Sequence, residues 1–221
     1  MLLTAEEGRL YVTAKGARKG ASRLAAGTEP LVHAQFGVSG GAHPFVTQVQ
    51  PITSFRGLRQ DFDRLTLALA VAEFYAATAV QDLPGDVLLQ SLLEALESIE
   101  KHPHPLVAAT WSFLVALDQE GVAPSFLSCA VSGKEIHGGM VYASPSAGGY
   151  VCDAESVHYR DSFPTQMEIL VGLGRTAELA APPPNLKYAE TCLVVLSRFL
   201  THNAHRNLPS LDLVLDQLKT E

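Results

Sequence analysis

The first sixty residues read as strands and turns, with the clearest period of two near the start. In Arg9-Leu-Tyr-Val-Thr-Ala-Lys15, Leu10, Val12 and Ala14 fall on one side and Arg9, Tyr11, Thr13 and Lys15 on the other. That is the pattern of a half-buried strand. Further strand patterns run from Leu31 to Val38 and from Phe45 to Phe55, separated by the turn-forming Ser39-Gly40-Gly41. Pro51 inside the second run implies a bend or an edge position, because proline cannot donate to a ladder. Gly16 to Gly27 is rich in Gly, Ala, Ser and basic residues and reads as a loop. Short strands joined by glycine turns predict a small β-barrel or part of one.

From Leu58 the period changes. Phe62, Leu65, Leu69, Ala72, Ala76 and Val80 recur at steps of three and four, which predicts one apolar stripe of a helix. Asp86 is a candidate N-cap for a second helix reaching Ile99, and His102-Pro-His-Pro breaks the chain after it. Leu106 to Glu120 reads as a third, strongly apolar helix with Gly121 as its C-cap. Residues 125–160 are Gly/Ser-rich and loop-like. Short helices are expected near 164–173, 186–203 and 209–219, with Pro182-Pro-Pro184 as a stiff separator. The predicted fold class is α+β: a β-rich domain over 1–57, then a mainly helical domain over 58–221 with an irregular insertion at about 125–160.

Composition narrows the class. Of 221 residues, 47% are hydrophobic and 18% charged, enough for a sizeable core and unlike a disordered chain. Three cysteines are too few for a disulfide framework and fit a reducing cytoplasm. No apolar run approaches the roughly 20 residues that span a bilayer, and the N-terminus has no basic-then-apolar leader pattern. The net charge of −7 argues at first against nucleic acid. It is an average over two unlike parts. Residues 1–60 hold seven basic and three acidic groups, a net of +4, while 61–221 hold nine basic and twenty acidic, a net of −11. Five bases and no acid lie between Gly8 and Thr28. Such asymmetry suggests a module that meets a polyanion joined to one that meets proteins, although a short basic loop can also be plain solvated surface.

The candidate chemistry is sparse. Cys129-Ala-Val-Ser132 and Cys152-Asp-Ala-Glu155 have the framework of a paired cysteine-knuckle zinc loop. Serine and glutamate stand where the second cysteine of each knuckle belongs, so a metal-free loop is expected. His102/His104 and His202/His205 lack acidic or thiol partners at metal-ligand spacing, which leaves a metal-dependent hydrolase poorly supported. No nucleophile elbow, P-loop or dinucleotide-binding turn occurs, so an enzyme is not expected. Trp111 and Phe113 fall in an apolar helix and read as core. Tyr11 shares its strand face with Arg9 and Lys15. A ring between two cations can stack a base while the cations follow the phosphates, or it can be an ordinary cross-strand packing group.

The run from Thr4 through Glu6-Glu-Gly8-Arg-Leu10 to Ala14-Lys-Gly-Ala-Arg-Lys19 resembles the RecO family of bacterial DNA repair proteins. The resemblance continues through Ser22-Arg23, Phe36 and Phe45, the helix after Arg56, the Cys129/Cys152 loop with its Gly148-Gly149-Tyr-Val-Cys152 approach, and Arg198-Phe-Leu to Leu208-Pro-Ser210. It implies an N-terminal OB-fold joined to a helical domain with a zinc-finger-like insertion. It also implies binding of single- and double-stranded DNA, strand annealing and, with RecR, loading of RecA onto DNA coated by single-strand-binding protein. The family signature falls on Gly8, Leu10, Ala14, Lys15, Gly16, Ala17 and Arg18; Arg9, Tyr11, Lys15, Arg18, Lys19 and Arg23 are the expected DNA contacts.

Two departures shape the expectation. Family members with a zinc site carry four cysteines where this chain has Cys129, Ser132, Cys152 and Glu155, so no zinc cofactor is carried over. The chain also begins in what would be the barrel's second strand, so the barrel is expected to lack its first strand, through a truncated or misassigned start. The expected location is cytoplasmic, beside the nucleoid. The alternative is a degenerate relative that docks proteins without gripping DNA.

Overall fold

The computed structural model describes residues 1–17, 24–138 and 140–219. Its N-terminal part is built of paired strands. Strands β1 (Leu2–Thr4) and β2 (Gly8–Leu10) form a hairpin in which Leu2 faces Leu10 and Thr4 faces Gly8. The Thr4 hydroxyl closes its turn, donating to Gly8 O at 3.2 Å and accepting from the Glu7 N–H at 3.2 Å. Strands β3 (His33–Ser39) and β4 (Phe45–Thr53) form a separate antiparallel ribbon. The ribbon pairs Ala34 with Pro51 and His33 with Thr53, so Ile52 bulges beside the proline. Pro51 therefore marks the bend that its missing N–H predicts.

These sheets are small, and among the described residues none closes into a barrel. The expected strand Arg9–Lys15 also stops early, at Leu10. Beyond it the chain stays extended but meets β4 only once, at a parallel bridge between Thr13 and Phe45. The alternation survives in exposure: Tyr11, Thr13 and Lys15 face solvent while Val12 and Ala14 are half-buried.

The helical part begins with the short α1 (Arg56–Arg59) and the central α2 (Phe62–Thr78), which Asp61 caps by accepting from the Asp63 and Arg64 N–H groups. The predicted stripe is right only in its middle: Ala76 is buried and Leu65, Leu69 and Ala72 are half-buried. Phe62 and Val80 are exposed, and the buried face is Leu67, Ala68, Ala70, Val71, Phe74 and Tyr75. Helix α2 is apolar nearly all round, so periodicity could not pick the side the neighbours would cover. Helix α3 (Asp86–Lys101) starts one residue after its true N-cap, Gly85, so Asp86 is the first helical residue and caps nothing. Helix α4 (Pro105–Gln119) follows the Pro-His-Pro break. Gly121, at φ 72°, ends it in a Schellman turn: its N–H donates to Asp118 O and that of Val122 to Leu117 O, each at 2.9 Å.

The segment expected to be loop contains a sheet. Strands β5 (Met140–Ser144) and β6 (Gly149–Val151) precede the short α5 (Asp153–Ser156), and β7 (Phe163–Gln166) pairs with the far side of β5. The last helices are α6 (Met167–Ala177), α7 (Ala189–Ala204) and α8 (Pro209–Leu218). Residues 164–166, expected to open a helix, belong instead to β7.

One core runs through the helical part. Phe74 meets Phe113 edge-to-face with centroids 6.1 Å apart, and Phe126 meets Phe199 at 5.2 Å. Trp111 is core as expected, and its indole N–H donates to Leu179 O at 3.0 Å. Several helix ends are capped from distant elements. Arg64 donates to the carbonyls of Ile99, Glu100 and His102 at the end of α3, Glu73 accepts the Ser210 N–H at the start of α8, and Glu100 accepts the Gly57 N–H.

Candidate nucleic-acid interface

The hairpin is sewn to the helical part through backbone. Arg9 N–H donates to Val80 O at 3.3 Å, Asp82 N–H to Glu7 O at 3.1 Å and Gly85 N–H to Ala5 O at 2.9 Å. Contact this close leaves no room for a side chain. A Cβ on Gly8, which sits at φ 59°, would lie 2.3 Å from Val80 O, and one on Gly85 would lie 2.6 Å from Thr4 O. Gly8 of the motif thus serves the junction between the two parts.

From this anchored hairpin, residues 11–17 run across the start of β4. Thr13 N–H donates to Pro44 O at 3.0 Å, and Val46 N–H donates to Thr13 O at 2.9 Å. Two cation–aromatic pairs lie on either side of Thr13 along the chain. The Lys15 ammonium lies 5.6 Å from the centre of the Phe45 ring, and the Arg9 guanidinium lies 5.9 Å from that of Tyr11. Tyr11 is 56% exposed. Lys15 is exposed and makes no ion pair among the described residues; Arg56, where the ribbon returns to the helices, is in the same state.

Arg9 has a different position from the one its alternation suggests. Its side chain turns inward and donates to Ala76 O at 3.4 Å, in the last turn of α2, where the carbonyl ends favour a cation. Its Nε is buried and has no hydrogen-bond partner among the described residues. Arg59 is also occupied, donating to Ser54 O and Pro30 O beside Glu29. Arg18, Lys19 and Arg23 lie outside the described residues. Of the expected contacts, Tyr11 and Lys15 are exposed on the same side of the extended segment. Phe45, under Lys15, was missed by sequence reasoning; an aromatic opening the strand that follows the Gly40-Gly41 turn was the available signal.

The Cys129 and Cys152 positions meet in the helical part. Cys129 N–H donates to Lys134 O at 2.7 Å and Gly133 N–H to Cys129 O at 2.8 Å, closing a tight turn. Cys129 Sγ accepts from the backbone N–H of Ser132 at 3.5 Å and of Cys152 at 3.4 Å. Burial acts to raise the Cys129 thiol, but these donors, with the Ser132 hydroxyl and the Val131 N–H, outweigh it and bring the thiol down to about 7. The Ser132 hydroxyl also lies 3.9 Å from Cys152 Sγ, while Glu155 sits in α5. Two thiols, an alcohol and one carboxylate are a poor match for a closed tetrahedral zinc site. Nor do three or more His, Cys, Asp or Glu side chains converge among the described residues. The first histidine pair fills a turn, where His102 accepts the His104 N–H at 3.0 Å and its other ring nitrogen donates to Pro183 O at 3.1 Å, and the second sits at the end of α7.

A family model described as Recombination protein O N terminal matches residues 1–55, and one described as Recombination protein O C terminal matches residues 59–212. The chain belongs to the RecO family. Curated RecO relatives agree in sequence over much of its length. The DNA repair protein RecO of Rubrobacter xylanophilus is 32% identical over 186 residues, spanning 82% of this chain and 73% of the relative. That of Heliobacterium modesticaldum is 36% identical over 155 residues, or 68% and 56% of the two chains, and that of Myxococcus xanthus 29% over 221 residues, or 96% and 87%. The two RecO models meet at α1, where the ribbon gives way to helices. As a family, RecO places this chain in DNA repair and recombination. No helix among the described residues is long and apolar enough to cross a membrane.

Proposed function

We propose that this RecO-family protein is a non-catalytic, DNA-binding mediator of recombinational repair. Tyr11 and Phe45 offer ring faces to bases, while Lys15, Arg56 and the basic segment with Arg18, Lys19 and Arg23 follow the phosphates. The observation that carries this reading is that Tyr11 and Lys15 are exposed on the same side of one extended segment, with Lys15 over the half-buried Phe45 ring. Ring stacking tolerates any base, so single strands are held with little sequence preference, and duplex is held through phosphates alone. Annealing needs no reacting residue, since neutralising the phosphates of two strands lets pairing proceed. Strands β1 to β4 act here as an open form of the family's OB-fold. The acidic helical part is the protein-facing half, with RecR and single-strand-binding protein as its partners and RecA as the beneficiary. The protein works in the cytoplasm, at the nucleoid, without a resident zinc ion.

The test is a salt series of DNA affinity for wild type, Tyr11→Ala and Lys15→Glu. Loss of the Tyr11 stack is expected to cost about 1–3 kcal/mol for single strands and little for duplex. Lys15→Glu should weaken both and flatten the salt slope by about one unit. Unchanged affinity and slope in both variants would remove this surface from the interface. Binding of RecR without any DNA binding by wild type would favour the protein-only adaptor.

A further inference from the structure

We propose that Cys129 and Cys152 form a reversible disulfide, making the insertion a site of thiol oxidation by hydroperoxides. The two residues are held against each other by a scaffold with little freedom. Tyr150 N–H donates to Ser125 O and Ala130 N–H to Tyr150 O, each at 2.8 Å, so the chain entering the Cys129 turn is paired to β6 and the chain leaving β6 is Cys152. Gly149 permits that pairing, because a Cβ there would fall 2.2 Å from Ser125 O. The backbone nitrogen of Cys152 is then 3.4 Å from Cys129 Sγ. Only Cα and Cβ separate that nitrogen from Cys152 Sγ, so the second sulfur is carried by the residue whose backbone already touches the first. Ser132 reaches both sulfurs. The same closeness that would suit a four-thiolate metal site leaves two neighbouring thiols where serine and glutamate replace the other two cysteines.

The order of events follows from access. Cys152 is half-buried and Cys129 fully buried, so the peroxide meets Cys152 first. The Cys152 thiolate attacks one peroxide oxygen, the O–O bond breaks, and the leaving alkoxide takes a proton to become an alcohol, leaving a sulfenic acid on Cys152. The Cys129 thiolate, held by the N–H groups of Ser132 and Cys152, then attacks the Cys152 sulfur. The S–S bond forms, the S–O bond breaks, and the departing hydroxide leaves as water with a proton. In total two thiols and one hydroperoxide give a disulfide, an alcohol and water; with hydrogen peroxide the products are two waters. The cross-link ties the 129–133 turn to the corner between β6 and α5 and can be undone by a dithiol.

Cys192 supplies an internal control. It lies on α7, fully buried, and burial pushes its thiol up to about 12. After full-length protein is treated with equimolar hydrogen peroxide and then denatured, alkylation should find one free thiol, Cys192, in place of three. The intact mass should fall by two hydrogen atoms, and digestion should yield a peptide linking Cys129 to Cys152 that a dithiol separates. Cys192→Ser should cross-link as wild type does. Cys129→Ser should stop at a Cys152 sulfenic acid that dimedone traps. Three alkylatable thiols after treatment, or a cross-link only between two molecules, would overturn the proposal. Because the readouts are chemical and need no DNA, they stand apart from the fate of the DNA-binding reading.

Discussion

Residues 1–55 and 56–219 hold together in different ways. Before Arg56, Val46 and Phe55 are the buried apolar side chains of the described core; nearly all of it, from Leu58 to Val214, belongs to the helical part. The first region stands by strand pairing and by backbone bonds to its neighbour, and leaves Tyr11, Val38 and Ile52 exposed. The second is a closed core with buried polar groups in partnership, such as the Tyr75 and Ser91 hydroxyls 2.7 Å apart. Burial is what pushes the Tyr75 phenol up to about 12. Stability is thus concentrated in the helical half, and exposed rings and cations in the strand half. The strand half leaves side chains such as Tyr11 and Lys15 in solvent because it is not spending its surface on a core.

The largest expected effect lies in the closed half. Phe74→Ala should cost about 3–5 kcal/mol in denaturant unfolding, while Ile52→Ala on the ribbon should cost less than about 0.5 kcal/mol. Comparable losses at the two sites would break the division. Next is the seam between the halves: Gly8→Ala should cost about 2 kcal/mol through its left-handed backbone and its approach to Val80 O. Faster amide exchange at Arg9, Asp82 and Gly85, with Phe74 packing unchanged, would locate the damage there. Arg64→Met should cost about 1–3 kcal/mol, because three carbonyls at the end of α3 lose their donor. Calorimetry checks it, and an unchanged melting temperature would show that water replaces the cap.

The smallest effect is pH-dependent. Burial of Asp161 opposes its ionisation, but the Ser144 and Ser146 hydroxyls and the Ser146 N–H hold its carboxyl below the usual 3.8. A carboxyl depressed on folding stabilises above its unfolded value, and that stability is lost as pH falls through the lower folded value. Asp161→Asn should therefore reduce stability at neutral pH and flatten the acid limb below 3.8. Parallel acid limbs for wild type and variant would exclude this contribution.

Much of the helical half was legible because proline and glycine punctuate it. Pro105 and Gly121 bracket α4 close to where their backbone restrictions require. The face of α2 was not legible, because an all-apolar helix has no amphipathic signal and its buried side depends on where α3, α4 and α8 lie. The sheet of β5, β6 and β7 was hidden by short strands among Gly and Ser. At the candidate interface, exposure of Tyr11 and Lys15 followed from alternation. The inward turn of Arg9 did not, since the carbonyl that draws it in belongs to Ala76, 67 residues away.

By itself, the sequence determined the family, the division of charge, the order of strand-rich and helical parts, and the missing cysteine donors, because each depends on residue identity and local spacing. Tertiary structure decided which face of α2 is core, which residues cap which helices, which cations remain free and that Cys129 meets Cys152. These depend on distances between segments remote in sequence, and the energies of burial and hydrogen bonding act on such distances alone.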